Sequence, residues 1–320
     1  MLGSEIKKIV FKRLDEALKP LGWKAYKSGY NPAYVLDTEQ YKIIFDMGFD
    51  TDWVGFYSVR VTIKEVESYI SVCIGDTELT PGGRLIDNKT MFRRTIVDQE
   101  CFLDYNDGKV EMDNDVNMVV DYFLDYLFDT AKKFLEVCLY LPNIVREMDK
   151  HVRQEGAWMC APHMYNGRIK VSGFYDGFFR GLIISKMCDD PNFKTKLNLV
   201  ESEVNAPNAD DYWGTSFRSD FEKLKQLLPT IEPKYSMDSP NEEAEMEKIK
   251  AMVAKNFTPV SAPTDKPKKK TAKKFVPTPP EQVNKELLAL LNPERIPKES
   301  RSLQKQFIPK RSLEKISSKM

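Results

Sequence analysis

The stretch Gln40–Ile63 reads QYKIIFDMGFDTDWVGFYSVRVTI, and its alternation decides the fold class. In the first half Tyr41, Ile43, Phe45, Met47 and Phe49 recur at every second position, with Lys42, Asp46 and Gly48 between them and Ile44 as the exception. In the second half Trp53, Tyr57, Val59, Val61 and Ile63 share one face, with Gly55 at the intervening position. Side chains alternate between the two faces of a strand, so each half predicts a strand with one apolar face. Asp50-Thr51-Asp52 joins them, which predicts an antiparallel hairpin. One wet face is the mark of an antiparallel sheet rather than a doubly covered parallel one.

Toward the N-terminus, Ser4–Lys19 predicts a helix: Ser4 can cap it, and Ile6, Ile9, Val10, Leu14 and Leu18 recur at helical spacing. Pro20 and Gly22 end it. Trp23–Lys27 and Ala33–Asp37 predict short strands around the turn Ser28-Gly29-Tyr30-Asn31-Pro32. Toward the C-terminus, Tyr69–Ile74, Met91–Asp98, Glu100–Tyr105 and Lys109–Met112 predict further strands, with Pro81-Gly82-Gly83 as a loop and Asn106-Asp107-Gly108 as a hairpin turn.

The chain then turns helical. From a cap at Asn114 or Asp115, one stripe runs through Val116, Val119, Val120, Phe123, Leu124, Leu127, Ala131, Phe134, Leu135 and Cys138. Pro142 stops it and opens a shorter helix to His151. Tyr175–Cys188, Asn192–Val204 and Ser216–Leu228 predict three more helices. The expected architecture is α+β: an N-terminal helix and antiparallel sheet, several helices, then a disordered basic C-terminal arm. The expected divisions are an α+β domain over 1–152, a helical extension over 153–232, a linker over 233–280 with a transient helix at Asn241–Lys255, and an interaction arm over 281–320.

Charge divides the chain as sharply as patterning does. Thr264–Met320 carries fifteen Lys/Arg against six Asp/Glu, a net of +9. With 48 of each in the whole chain, residues 1–263 carry a net of −9. Lys266, Lys268, Lys269, Lys270, Lys273 and Lys274 form the densest cationic run, fit to contact phosphate backbones or an acidic surface. Phe275 stands alone beside them, which argues against base stacking. A solvated linker that keeps two parts of the protein soluble and apart is a second reading of the run, and a nuclear address a third. Beyond it, Glu281–Leu291 predicts a helix with Val283, Leu287, Leu290 and Leu291 on one side, the spacing of a helix that docks in a groove. A partial duplication follows. Ile296-Pro297-Lys298 precedes Arg301-Ser302-Leu303-Gln304-Lys305, and Ile308-Pro309-Lys310 precedes Arg311-Ser312-Leu313-Glu314-Lys315. Arg301, Leu303, Arg311 and Leu313 are the repeated positions of a linear motif.

At Leu18-Lys19-Pro20-Leu21-Gly22-Trp23-Lys24 and in the strand ending Phe45-Asp46-Met47-Gly48-Phe49, residues 4–63 resemble a group of uncharacterised small bacterial α+β domains. These open with a helix ending K-P-L-G-[FW]-x-K followed by aromatic antiparallel strands. The resemblance implies a fold and no chemistry; the chain departs from it after Tyr69.

No residue pattern predicts catalysis, a cofactor or a metal. Cys160 and His163 have half the spacing of a zinc site, but His151 is the only other histidine and no second close pair is present. Asp98-Gln99-Glu100 is followed by Phe102 where a nuclease would carry lysine, and Gly82-Gly83 is a plain turn. Asp121, Asp125 and Asp129 fall at i, i+4 and i+8 of the long helix. That row reads either as a solvated face or as an acidic strip for a basic partner, the chain's own tail included. Five scattered cysteines, no signal segment and no apolar span predict a cytoplasmic protein without a membrane partner. The functional expectation is a non-enzymatic adaptor or structural protein that docks a protein partner through the arm. The alternatives are a nucleic-acid-associated protein gripping phosphates, an immunity-type inhibitor, or a hydrolase with a site assembled in space.

Overall fold

The computed structural model describes residues 3–26, 32–49, 54–75, 77–79, 85–87, 95–97, 101–102, 113–155 and 170–258. The chain divides into two units, Met1–Pro263 and Thr264–Met320, and everything described belongs to the first. The hairpin forms where its alternation predicts it, but the face expected to be wet is covered: Ile44, Asp46, Ser58, Arg60 and Thr62 are buried as well. β3 (Tyr41–Phe49) pairs antiparallel with β4 (Val54–Ile63), Tyr41 opposite Ile63 and Phe45 opposite Val59, with a register shift at Gly48/Phe49. A slip of one residue would turn every core side chain to the other face, so the apolar set fixes this register. β1 (Lys24–Tyr26) and β2 (Ala33–Asp37) extend the sheet on one side, and β7 (Ile96–Val97), β8 (Cys101–Phe102) and β9 (Lys170–Val171) on the other. All described pairings are antiparallel.

β4 meets β8 and β7 at two separate places, and side chains occupy the positions around them. The Val59 N–H donates to the Tyr126 hydroxyl at 3.2 Å, and the Ile63 N–H to Thr95 Oγ1 at 2.8 Å. Buried backbone donors must find partners, and here two side chains supply what no neighbouring strand does.

One face of the sheet carries the core. α1 (Gly3–Leu18) and α3 (Asp113–Asp125) lie on it, continued by a π-helical turn at Tyr126–Ala131 and by α4 (Lys132–Cys138). Phe45 meets Phe123 edge-on at 5.9 Å, Tyr57 meets Tyr126 at 4.8 Å, and Phe11 stacks on Tyr34 at 5.6 Å. Every stripe residue expected in the long helix is buried except Leu124, which packs against the core half-covered. The π turn inserts one extra residue into the winding, which brings Tyr126 into the core as well.

α2 (Lys64–Ile74) corrects the sequence expectation. Tyr69–Ile74 is helical, not a strand. Val66, Ile70 and Cys73 are buried at helical spacing, and Glu65 and Glu67 in the first turn suit the positive end of a helix. The short apolar run was compatible with either state. A two-stranded ribbon, β5 (Thr77–Leu79) with β6 (Leu85–Asp87), flanks the expected Pro81-Gly82-Gly83 loop.

α5 (Leu141–Glu155) leads toward α6 (Tyr175–Met187), the central helix of the second half. Eleven consecutive residues of α6, Tyr175 to Ser185, are buried, so the helix is enclosed on every side, its polar residues Asp176, Arg180 and Ser185 included. α2, α5, α7 (Phe193–Val204) and α9 (Ser216–Leu227) surround it, with α8 (Ala209–Trp213) between the last two in sequence.

The last described helix, α10 (Glu242–Phe257), overlaps the expected transient helix but differs in setting. Residues 233–258, read from composition as the start of a linker, are held to the body. One hydrophobic cluster runs from Ile6 to Phe257 and joins the segments 1–152 and 153–232 that composition separates.

Candidate functional site

The densest described polar cluster forms around Arg180. Its Nε and Nη2 donate to the two oxygens of Glu67 at 2.7 and 3.0 Å, and its Nη1 donates to Asp176 Oδ2 and to the Ser172 carbonyl. The carboxylates are themselves engaged. Thr95 Oγ1 donates to Glu67 Oε1 at 2.7 Å, and the Phe174 N–H to Asp176 Oδ1 at 2.6 Å. Burial works against the charged guanidinium, but Asp176 and then Glu67 outweigh it and raise its pKa. Gly173 makes the loop possible. It has φ +131°, and a Cβ there would lie 2.6 Å from Arg180 Nη1 and from the Gly177 nitrogen. The cluster ties the end of β4, α2, the loop before α6 and α6 itself into one node. Arg180 is spoken for and closed to solvent, so the node organises the fold instead of receiving a ligand.

Two other buried clusters are built alike. Lys196 Nζ donates to Asp149 and Asp190 at 2.5 Å each, while Asn192 donates to both carboxylates, fixing the turn into α7 beside Asp189, whose φ is +48°. On the sheet face opposite the helices, Asp46 takes a hydrogen bond from Ser58 at 2.6 Å and pairs with Arg60 at 2.9 Å, next to the apolar trio Ala33, Val35 and Ile44. Among the described residues no group of His, Cys, Asp and Glu could hold a metal ion, and no helix is long and apolar enough to cross a membrane.

Asp121, Asp125 and Asp129 are all exposed. Asp121 accepts from Arg13 of α1 at 2.9 Å, and Asp129 pairs with Lys133 at 2.6 Å. Asp129 lies inside the π turn, so the row no longer follows the even pitch of one α-helix. The lysines Lys268, Lys269, Lys270, Lys273 and Lys274, the helix residues Val283, Leu287, Leu290 and Leu291, and the repeat positions Arg301, Leu303, Arg311 and Leu313 lie outside the described residues, as do Asp98, Glu100, Cys160 and His163.

Sequence reasoning missed the seam between residues 231–258 and the body. The N–H groups of Lys234 and Tyr235 both donate to the Met187 carbonyl, at 2.8 and 3.0 Å, and Lys234 pairs with Glu65 at 2.6 Å. Arg146 clasps Glu242 through two 2.7 Å hydrogen bonds and reaches the Met237 carbonyl at 3.1 Å. At the far end Phe257 meets Trp23 edge-on at 5.2 Å, and Trp23 Nε1 donates to the Asn256 carbonyl at 3.2 Å. Tyr140 and Tyr235 meet edge-on at 5.9 Å in between. The spacing of Met246, Ile249, Met252, Val253 and Phe257 was the available signal, diluted by the charges around it.

No protein-family model, curated protein or solved structure matches the chain.

Proposed function

We propose that the protein is an adaptor: an acidic folded body that presents a basic arm, and an arm that docks on a larger assembly through Val283, Leu287, Leu290 and Leu291 and the repeated Arg301/Leu303 and Arg311/Leu313 positions. The observation that carries this reading is a coincidence of two boundaries. The fold divides between Pro263 and Thr264, and net charge changes from −9 to +9 at the same residue. A change of sign placed at a structural boundary suits two surfaces that attract oppositely charged partners. The state of the buried charges supports the same reading. The Arg180 and Lys196 clusters are paired internally, which suits a scaffold. An isolated helix of about eleven residues is marginal in water, so the apolar side at 283–291 calls for a surface to cover it. The second reading rests on the six lysines of 266–274, which suit a phosphate backbone.

The test is capture from lysate with full-length protein and with a chain ending at Ser261, each with and without nuclease. The adaptor reading expects protein partners that need the arm and survive nuclease. Loss on nuclease treatment, together with a steep fall in binding between about 50 and 200 mM salt, would assign the arm to nucleic acid instead. Equal capture by both chains would remove the arm from either role.

A further inference from the structure

We propose that residues 231–258 are a detachable strap, which opens from the body as a unit while the rest of the fold stays intact and so lengthens the tether of the arm. The proposal rests on the reading of the C-terminal region as a docking arm, and it is carried by the make-up of the seam. Of the sixteen residues of α10, only Val253 and Phe257 are buried. In α6 the buried residues run without a break from Tyr175 to Ser185. The ion pairs of the seam are half-exposed: Arg146 and Glu242 show 36% and 31% of their side chains, and Lys234 and Glu65 show 53% and 35%. Water competes for such pairs, so they guide the strap to its seat more than they hold it there.

Two polar atoms mark the seam as imperfectly closed. The Tyr140 hydroxyl and Glu245 Oε2 are buried and have no hydrogen-bond partner among the described residues. Glu245 belongs to the strap and Tyr140 to its seat. Opening the strap gives both atoms back to water, so the seam loses less on opening than its buried area implies. The remaining contact comes from the buried Ile231 and from Tyr235, Met237, Ile249 and Met252, partly buried against the core. Met237 and Met252 pack half-buried against the core, and flexible thioethers fit a surface that is repeatedly left and regained.

Closed, the strap ends with Phe257 against Trp23, so the chain leaves the described body at a fixed place. Open, residues 231–258 become part of the tether. A flexible chain of that length spans about 30 Å root-mean-square by itself, and the square of that span adds to the square of the tether's own. The arm would therefore have a short-reach and a long-reach state, chosen by a local opening that leaves the Arg180 node untouched.

Hydrogen exchange on the full-length protein, without any partner, tests the strap separately from the function of the arm. Amides of 242–257 should be protected, but at least about tenfold less than the slowest amides of α6. Phe257→Ala should speed exchange in 242–257 about tenfold further and leave α3 and α6 unchanged. Two results would overturn the proposal. One is exchange of 242–257 at the α6 rate, with both responding equally to Phe257→Ala, which would make the strap part of the cooperative core. The other is no protection of 242–257 at all, which would mean that the closed state does not exist. Either could occur while the arm still captures its partner, and a confirmed strap could coexist with an arm that captures nothing.

Discussion

Arg180 and Arg146 each clasp a glutamate with two hydrogen bonds, at 2.7 and 3.0 Å on Glu67 and at 2.7 Å twice on Glu242. The side chains of the first pair are 2% and 7% exposed, those of the second 36% and 31%. The same fork therefore does different work in the two places. Inside, desolvation makes either partner costly to lose, because the survivor stays buried and charged. At the seam, water replaces whichever partner leaves. A clasp that must not open is placed in the node that joins sheet and helices, and one that can open is placed on the strap.

The largest effect should come from breaking the buried clasp. Arg180→Ala strands Glu67 and Asp176 without their cation and should cost about 3–5 kcal/mol, a large share of the roughly 5–15 kcal/mol that holds a domain folded. Circular dichroism under urea reads this directly; a loss below about 1 kcal/mol would mean that the node is not desolvated. Gly173→Ala probes the same node through its backbone. It places a methyl group against Arg180 and Gly177 at a φ that L-residues avoid, and about 2–4 kcal/mol should be lost, with the midpoint of urea unfolding as the readout.

Alkaline pH should weaken the core in a defined direction. Burial, then Asp220, pushes the Cys73 thiol from 9.0 up to about 11, and burial likewise raises Tyr34, Tyr41 and Tyr175. A raised folded-state pKa gives stability that is complete below the unfolded value and is lost as pH climbs through the folded one. Urea midpoints should therefore hold to about pH 8.5 and fall by pH 10.5, with about 2 kcal/mol from Cys73 if its thiol stays buried. A flat profile would place that thiol in contact with water. The smallest effect belongs to the exposed clasp. Arg146→Ala should cost below about 1 kcal/mol globally, with the change confined to protection of 242–257. A loss as large as that of Arg180→Ala would erase the distinction between node and strap.

What the sequence made legible follows from how local each signal is. The hairpin over Gln40–Ile63 and the stripe from Val116 to Cys138 are periodic along the chain, and both form. α2 was missed because Tyr69–Ile74 is short enough to satisfy either period, and the deciding residue, Val66, stands outside the run. The Arg180 node joins positions 113 residues apart and could not be paired from sequence, although an arginine within Phe178-Phe179-Arg180-Gly181-Leu182-Ile183-Ile184 already announces a buried charge in need of partners. Composition reads the strap as linker because seven charged side chains are interleaved with the five larger apolar ones of its helix, Met246, Ile249, Met252, Val253 and Phe257. That composition is also what makes it removable.

The adaptor account meets its most direct test at Leu287. Leu287→Asp in the full-length protein puts a charge into the apolar side of the helix proposed for 281–291, and an unpaired carboxylate in a buried interface costs several kcal/mol. Capture of the partner should be abolished while the melting temperature of the body stays within about 1 °C of the parent, because the substitution lies outside the unit Met1–Pro263. Undiminished capture with an unchanged melting temperature would contradict the account, since the helix would then serve neither the partner nor the body.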